Sequence, residues 1–191
     1  MSDGSTDDGR QVLGVVGTGA GGLEELRTGL VVPALDRGWR VAVTLTPTAY
    51  EWLRAVGELE LLEELTGLPV RSTPRLPGEA RPHPPVDCCV VAPASANTVA
   101  KLALSVSDNQ ALTQVHEAIG TLDVGVVLFP RINAAHARHP AWKQHVAALE
   151  SAGVHVVQGN DVWPLYESRE GAGGRPLPWD AILNTAATAM A

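Results

Sequence analysis

Two runs of small, hydroxyl- and amide-bearing residues hold the chemistry open to this sequence. The first is Gly17-Thr18-Gly19-Ala20-Gly21-Gly22, which fits G-x-G-x-x-G between an apolar run and a helical pattern. Backbone N–H groups in such a loop, next to a helix start, favour an anion. A dinucleotide would also need an Asp or Glu at the end of the second strand, to hold its adenosine ribose. Thr46 stands there, in Leu45-Thr46-Pro47-Thr48, and the nearest acid, Asp36, comes before that strand. The pattern therefore favours a mononucleotide phosphate, held by the amides of Gly17, Thr18, Gly19 and Ala20 and by the hydroxyls of Thr18 and Thr46. The plainer alternative is that the glycines only turn the chain.

The second run is Pro93-Ala94-Ser95-Ala96-Asn97-Thr98. Read as capping, Ser95 opens a helix. Read as a binding loop, its small side chains let a flat ligand lie against backbone, and Asn97 offers a donor and an acceptor to a ring bearing carbonyls and N–H groups. Ser107-Asp108-Asn109, further on, has the types of a helix cap. His136 and His139 have no carboxylate or cysteine at metal-ligand spacing, so no metal is expected. Cys88 and Cys89 are adjacent inside an apolar run and read as small core residues. No Gly-x-Ser-x-Gly occurs, which removes the usual hydrolase elbow.

The elements that must position these loops follow from periodicity. Continuous apolar runs at 12–16, 40–45, 88–92, 124–129 and 154–157 predict strands. Helical spacing at 23–37, 48–55, 59–65, 96–105, 109–119, 140–152 and 179–190 predicts helices between them, with Pro33 kinking or breaking the first. Six prolines between 68 and 86 leave room for no more than a short strand at Val70. Strands that are apolar throughout, alternating with helices, predict an α/β fold, a single-domain Rossmann-like doubly wound parallel sheet. Residues 1–10 read as a flexible tail and 11–191 as the domain. Ligands of such sheets sit beyond the carboxyl ends of the strands, where both runs lie.

The 191 residues are 45% hydrophobic and 18% charged, enough for a core and unlike a disordered chain. A net charge of −7 with no basic run argues against a nucleic-acid partner. No apolar stretch is long enough to span a membrane, and the acidic, polar start is unlike a signal peptide. With two cysteines only, the expected location is a reducing, cytoplasmic one.

Pro93-Ala94-Ser95-Ala96-Asn97-Thr98 followed by Ser107-Asp108-Asn109 resembles the flavin loop of the FMN-containing cysteine decarboxylase superfamily. That superfamily includes phosphopantothenoylcysteine decarboxylase and the peptidyl-cysteine decarboxylases. The likeness runs from about residue 11 to 157. It implies FMN as cofactor, Thr46 at the phosphate, 94–98 along the ring system and 107–109 at the ribityl chain or ring edge. It further implies a small-molecule or peptide substrate and a homo-oligomer, trimer or dodecamer. Chemistry of this type oxidises a cysteine CH–S unit to a thioaldehyde with flavin as acceptor, after which CO₂ leaves and an enethiol remains. By the same resemblance Asn133 would hold the substrate carboxylate, with Arg131 beside it, and His83 would be the base. A glycine-rich stretch, Gly171-Ala172-Gly173-Gly174, would be the counterpart of a substrate clamp. The sequence departs from the pattern Pro-x-Met-Asn-x-x-Met-Trp, reading Pro130-Arg131-Ile132-Asn133-Ala134-Ala135-His136-Ala137. The expected activity is thus FMN-dependent oxidative decarboxylation of a cysteine-type carboxylate. The alternative is an FMN-dependent oxidoreductase or flavin carrier that never decarboxylates.

Overall fold

A computed structural model describes residues 9–171 and 174–191. Five parallel strands form one sheet in the order β2-β1-β3-β4-β5: β1 (Val12–Gly17), β2 (Arg40–Leu45), β3 (Cys88–Ala94), β4 (Gly125–Pro130) and β5 (His155–Val156). The chain leaves β1 toward one edge and β3 toward the other, so the order reverses between β1 and β3. That reversal is the topological switch point, where an open α/β sheet leaves a crevice for its ligand.

Strand residues bury both faces. Leu13, Val15, Val41, Val43, Val90 and Phe129 pack with Leu26, Leu30, Leu53 and Ile182 on one side. Val16, Cys89, Val91 and Leu128 pack with Val99, Leu112, Val115 and Leu149 on the other. This two-sided burial is why the strands read as unbroken apolar runs. The first face carries a helical stretch ending in α1 (Val32–Asp36), followed by α2 (Pro47–Ala55) and α3 (Glu58–Thr66). The second carries α4 (Ala96–Ala103), α5 (Gln110–Ile119) and α7 (Trp142–Ser151). A short α6 (Ala134–Ala137) follows β4, and α8 (Trp179–Ala189) returns to the first face.

Pro33 alters the expected helix over 23–37 by widening it. Having no N–H, it cannot close the helical bond to the residue four before it. The chain takes up an extra residue just upstream: Leu26–Val31 is π-helical, and the N–H of Val32 donates to the carbonyl of Arg27. The strand expected at Val70 shrinks to one bridge between Arg71 and Thr44, consistent with the prolines that follow. Among the described residues no helix is long and apolar enough to cross a membrane.

α8 lies so close to the widened helix that a Cβ on Gly29 would stand 2.2 Å from Nε1 of Trp179. Gly29→Ala is expected to cost about 1–3 kcal/mol through overpacking. A urea denaturation series checks this, the midpoint falling while the slope stays unchanged.

Candidate functional site

Thr18 joins the two loops that border the switch point. Only 1% exposed, its hydroxyl donates to the carbonyl of Pro93 (2.8 Å) and accepts from the N–H of Ser95 (2.9 Å). This corrects the expectation for Thr18: its hydroxyl holds the β1 loop against the β3 loop and is not free for a phosphate. Gly17 has a packing role beside the expected one. A Cβ there would lie 2.7 Å from Leu45 and 2.9 Å from Leu23, so this glycine is required by packing. The N–H of Ala20 is taken by the carbonyl of Thr18 (2.7 Å).

What remains for an anion is still a coherent donor set. The N–H groups of Gly19 and Gly21 have no partner among the described residues. Gly19 lets the loop touch the start of α2, since a Cβ on it would lie 2.8 Å from Cγ2 of Thr48. Thr46 caps α2, accepting from the N–H of Ala49 (3.4 Å), which leaves its O–H free to donate. Two amides and a hydroxyl at a helix start suit a phosphate.

At the β3 loop the capping reading holds for two of the residues. Ser95 and Thr98 are capping groups: Oγ of Ser95 accepts from the N–H of Thr98 (3.2 Å), and the two hydroxyls bond each other (3.0 Å). Ala94 is fully buried in the core, so only its backbone can face a ring. Ala96 is half-buried, and Asn97 is exposed with an amide that has no partner among the described residues. The side chains of the largely exposed segment 107–109 bond neighbouring helices. Ser107 bonds Nδ1 of His116 (2.7 Å), Asp108 pairs with Lys101, and Asn109 caps α5 through Leu112 (3.1 Å). Lys101 holds the Asp108 carboxyl below the usual range, chiefly through their hydrogen bond. Ser107 and Asp108 thus link α4 to α5, and Asn109 caps α5.

Asn133 caps α6, its Oδ1 accepting from the N–H of His136 (3.0 Å). That bond fixes the amide and leaves Nδ2 as a donor suited to a carboxylate. Nearby, an apolar cavity of about 330 Å³ opens at the ends of β4 and β5, lined by Phe129, Ile132, Trp142, Trp163 and Leu165. His83 lies elsewhere, in a cavity of about 690 Å³ between 71–86 and α5, with Arg71, Arg75 and Arg81. Its Nε2 donates to the carbonyl of Pro69 (2.7 Å), leaving Nδ1 as acceptor. Burial, and secondarily Arg71, lower its pKa against the opposing pull of that carbonyl, so it is neutral near pH 7. The lining of the His83 cavity comes from the proline-rich segment, α5 and their neighbours and does not include Asn133. The stretch at 171–174 falls partly outside the described residues.

Sequence reasoning gave Arg131 only a possible role beside Asn133. It stacks on Trp163 (4.7 Å to the ring centroid) and Tyr166 (5.2 Å) and donates to the Tyr166 hydroxyl (2.5 Å). None of these partners is near it in the chain, so nothing local in the sequence announced them. Cys88 and Cys89 are free and buried, with thiols pushed up to about 12 by desolvation. Among the described residues no group of acids, histidines and cysteines could hold a metal.

A parallel sheet with this reversal, an anion-receptive loop after β1 and an amide-bearing loop after β3 defines a doubly wound nucleotide-binding α/β protein. The flavoprotein family matches residues 1–190, and the chain belongs to that family. Among solved structures it is similar to the FMN-dependent cysteine decarboxylase TvaF from thioviridamide biosynthesis, with TM-score 0.67 and 22% identity over 94% of this chain and 98% of that one. The peptidyl-cysteine decarboxylase EpiD gives TM-score 0.68 and 17% identity over 93% and 99%. HAL3 from Cryptococcus neoformans gives 0.66 and 18% over 95% and 97%. At these identities the likeness is one of fold. A curated cysteine/cysteine sulfinic acid decarboxylase from an unknown prokaryotic organism is 32% identical over 72 residues, 38% of this chain and about a fifth (19%) of that protein.

Two outcomes follow from this geometry. Thr18→Val leaves the Pro93 carbonyl and the Ser95 N–H unpaired and is expected to destabilise the fold by about 1–3 kcal/mol, measured by chemical denaturation. The native protein should resist iodoacetamide at about pH 8 and react at both cysteines once unfolded, as counted by mass spectrometry.

Proposed function

We propose that this protein binds FMN across the switch point and carries out the oxidative decarboxylation of a cysteine-type carboxylate, on a small molecule or a peptide. The observation that carries the reading is the donor set at the end of β1, on a sheet whose order is one that holds FMN at this reversal. Gly19, Gly21 and Thr46 would hold the phosphate, and Asn97 with the backbone of 94–96 would meet the ring. When bound, FMN supplies a two-electron acceptor for the CH–SH unit of the substrate. Asn133 would orient the carboxylate through Nδ2, next to an apolar cavity that excludes water from the leaving CO₂.

Neutral His83 has a free Nδ1 fit to accept a proton, but it would need a second copy of the chain to bring it to another copy's Asn133. This supports a homo-oligomer, trimer or dodecamer, as do Leu104 and Leu122, the latter 88% exposed. The free, unbridged cysteines support a cytoplasmic location, and the single sheet supports one flavoprotein domain over 11–191. A second reading, FMN-dependent oxidoreductase or flavin carrier, is favoured by one observation. Ile132, His136 and Ala137 stand where the decarboxylase pattern has two methionines and a tryptophan.

Titration of the purified protein with FMN, followed by incubation with cysteine-ended peptides, tests both readings. Decarboxylation appears in the mass spectrum as loss of CO₂ and two hydrogens; flavin binding without that loss leaves the carrier. Asn97→Ala should weaken FMN binding about tenfold to hundredfold. Asn133→Ala should leave FMN affinity unchanged and abolish turnover. His83→Ala should slow turnover at least about a hundredfold if it is the base, and a loss smaller than about tenfold removes it from the mechanism.

A further inference from the structure

Among the described residues, four buried side-chain polar atoms lack a hydrogen-bond partner, and three of them lie in one place: Nε of Arg131, Nε of Arg175 and Nε1 of Trp163. All three are N–H donors. Buried donors are nearly always satisfied, and leaving one unpaired is costly. Both guanidinium groups stack on the same indole, Arg131 at 4.7 Å and Arg175 at 4.1 Å from its centroid. Trp163 is 3% exposed and is fixed from beneath by an edge contact with Phe129 of β4 (5.9 Å). The hydrogen bonds of the two arginines go to neutral oxygens, the Tyr166 hydroxyl and the Pro164 carbonyl (2.8 Å). Neither forms an ion pair among the described residues, although Arg27, Arg54, Lys101 and Arg138 each have an acidic partner. What sets these two apart from other unpaired cations is that both rest on one buried indole with a buried N–H left unsatisfied.

The cluster also points toward the site. A Cβ built on Gly21 would lie 3.7 Å from Nη2 of Arg131, so this guanidinium reaches from the end of β4 to the β1 loop, whose Gly19 and Gly21 amides are unpartnered. One carboxylate bonds that loop: Glu24 accepts from the N–H of Gly22 (3.1 Å). It occupies that amide, whereas those of Gly19 and Gly21 have no partner among the described residues.

We propose that Arg131 and Arg175, held on Trp163, form an oxyanion receptor of the candidate site. The proposal rests on the flavin reading above. The ligand chemistry is a phosphate or carboxylate accepting charge-assisted bonds from planar donors. Its source is either the phosphate of FMN at the β1 loop or the acid group of the substrate next to Asn133.

The experiment compares wild type with Arg131→Gln, Arg131→Lys and Arg175→Gln by two binding ratios, neither of which requires turnover. The first is FMN affinity over riboflavin affinity, from quenching of flavin fluorescence. The second is the affinity of the FMN-loaded protein for a cysteine-ended peptide acid over that for its carboxamide, by calorimetry. A fall of about tenfold or more in the first ratio, with riboflavin affinity unchanged, assigns the receptor to the flavin phosphate. The same fall in the second ratio alone assigns it to the substrate. Arg131→Lys keeps the charge but not the fork and should recover only part of either ratio. Arg175→Gln leaves the Tyr166 bond intact, so it decides the matter should Arg131→Gln fail to fold. Ratios unchanged within twofold in the folded variants overturn the receptor and leave the flavin reading standing. Wild type that binds no flavin overturns both.

Discussion

The shared hydroxyl of Thr18 is the joint on which the rest of the site depends. At a switch point the two bordering strands send their chains to opposite faces, so no continuous element spans the crevice between them. Thr18 spans it with one oxygen, giving a proton to Pro93 and taking one from Ser95. It thereby sets where the β1 loop and the start of α4 stand relative to each other. The glycine amides and the exposed Asn97 inherit their relative position from that oxygen. A threonine that looks in sequence like a ligand-binding hydroxyl thus does its work one step earlier, by building the place where a ligand would sit.

The architecture was legible because burial on both faces leaves a mark that needs no partner to read. Runs such as 88–92 and 124–129 are apolar throughout, and Gly38 and Gly67 mark the ends of two of the helices. Much less of the site was legible. Ser95, Thr98, Asp108 and Asn109 have the types of both a cap and a binding group, and only coordinates show which oxygen is already engaged. Gly17 looks like part of a phosphate loop until Leu45 and Leu23 are seen pressed against it. Arg131 and Trp163 are 32 positions apart, and the contact that gives both their meaning is long-range. The widening before Pro33 was half legible: the proline announced a disturbance, and the packing of Trp179 against Gly29 accompanies the form it took.

The long connection between β5 and α8 shows how irregular chain can be held without a helix or strand. It is tied to the β4 end at successive points: Ala134 N–H to the Tyr166 carbonyl (2.9 Å), the Arg131 stack, and the Arg138–Glu167 fork (2.7 and 2.8 Å). Each tie joins this segment to the loop that carries Asn133. The order of one is therefore bound to the order of the other.

These ties differ in how they respond to the solvent. Arg138 and Glu167 are more than half exposed, so their attraction is screened by dissolved ions and weakens over a Debye length of about 8 Å at physiological ionic strength. The stack of Arg131 on Trp163 lies against a buried ring and is shielded from those ions. The connection is thus fastened by an outer clasp that concentrated salt loosens and an inner one that it leaves closed. Ionic strength alone would then grade how freely the segment over the site moves, with no change to the sheet beneath it.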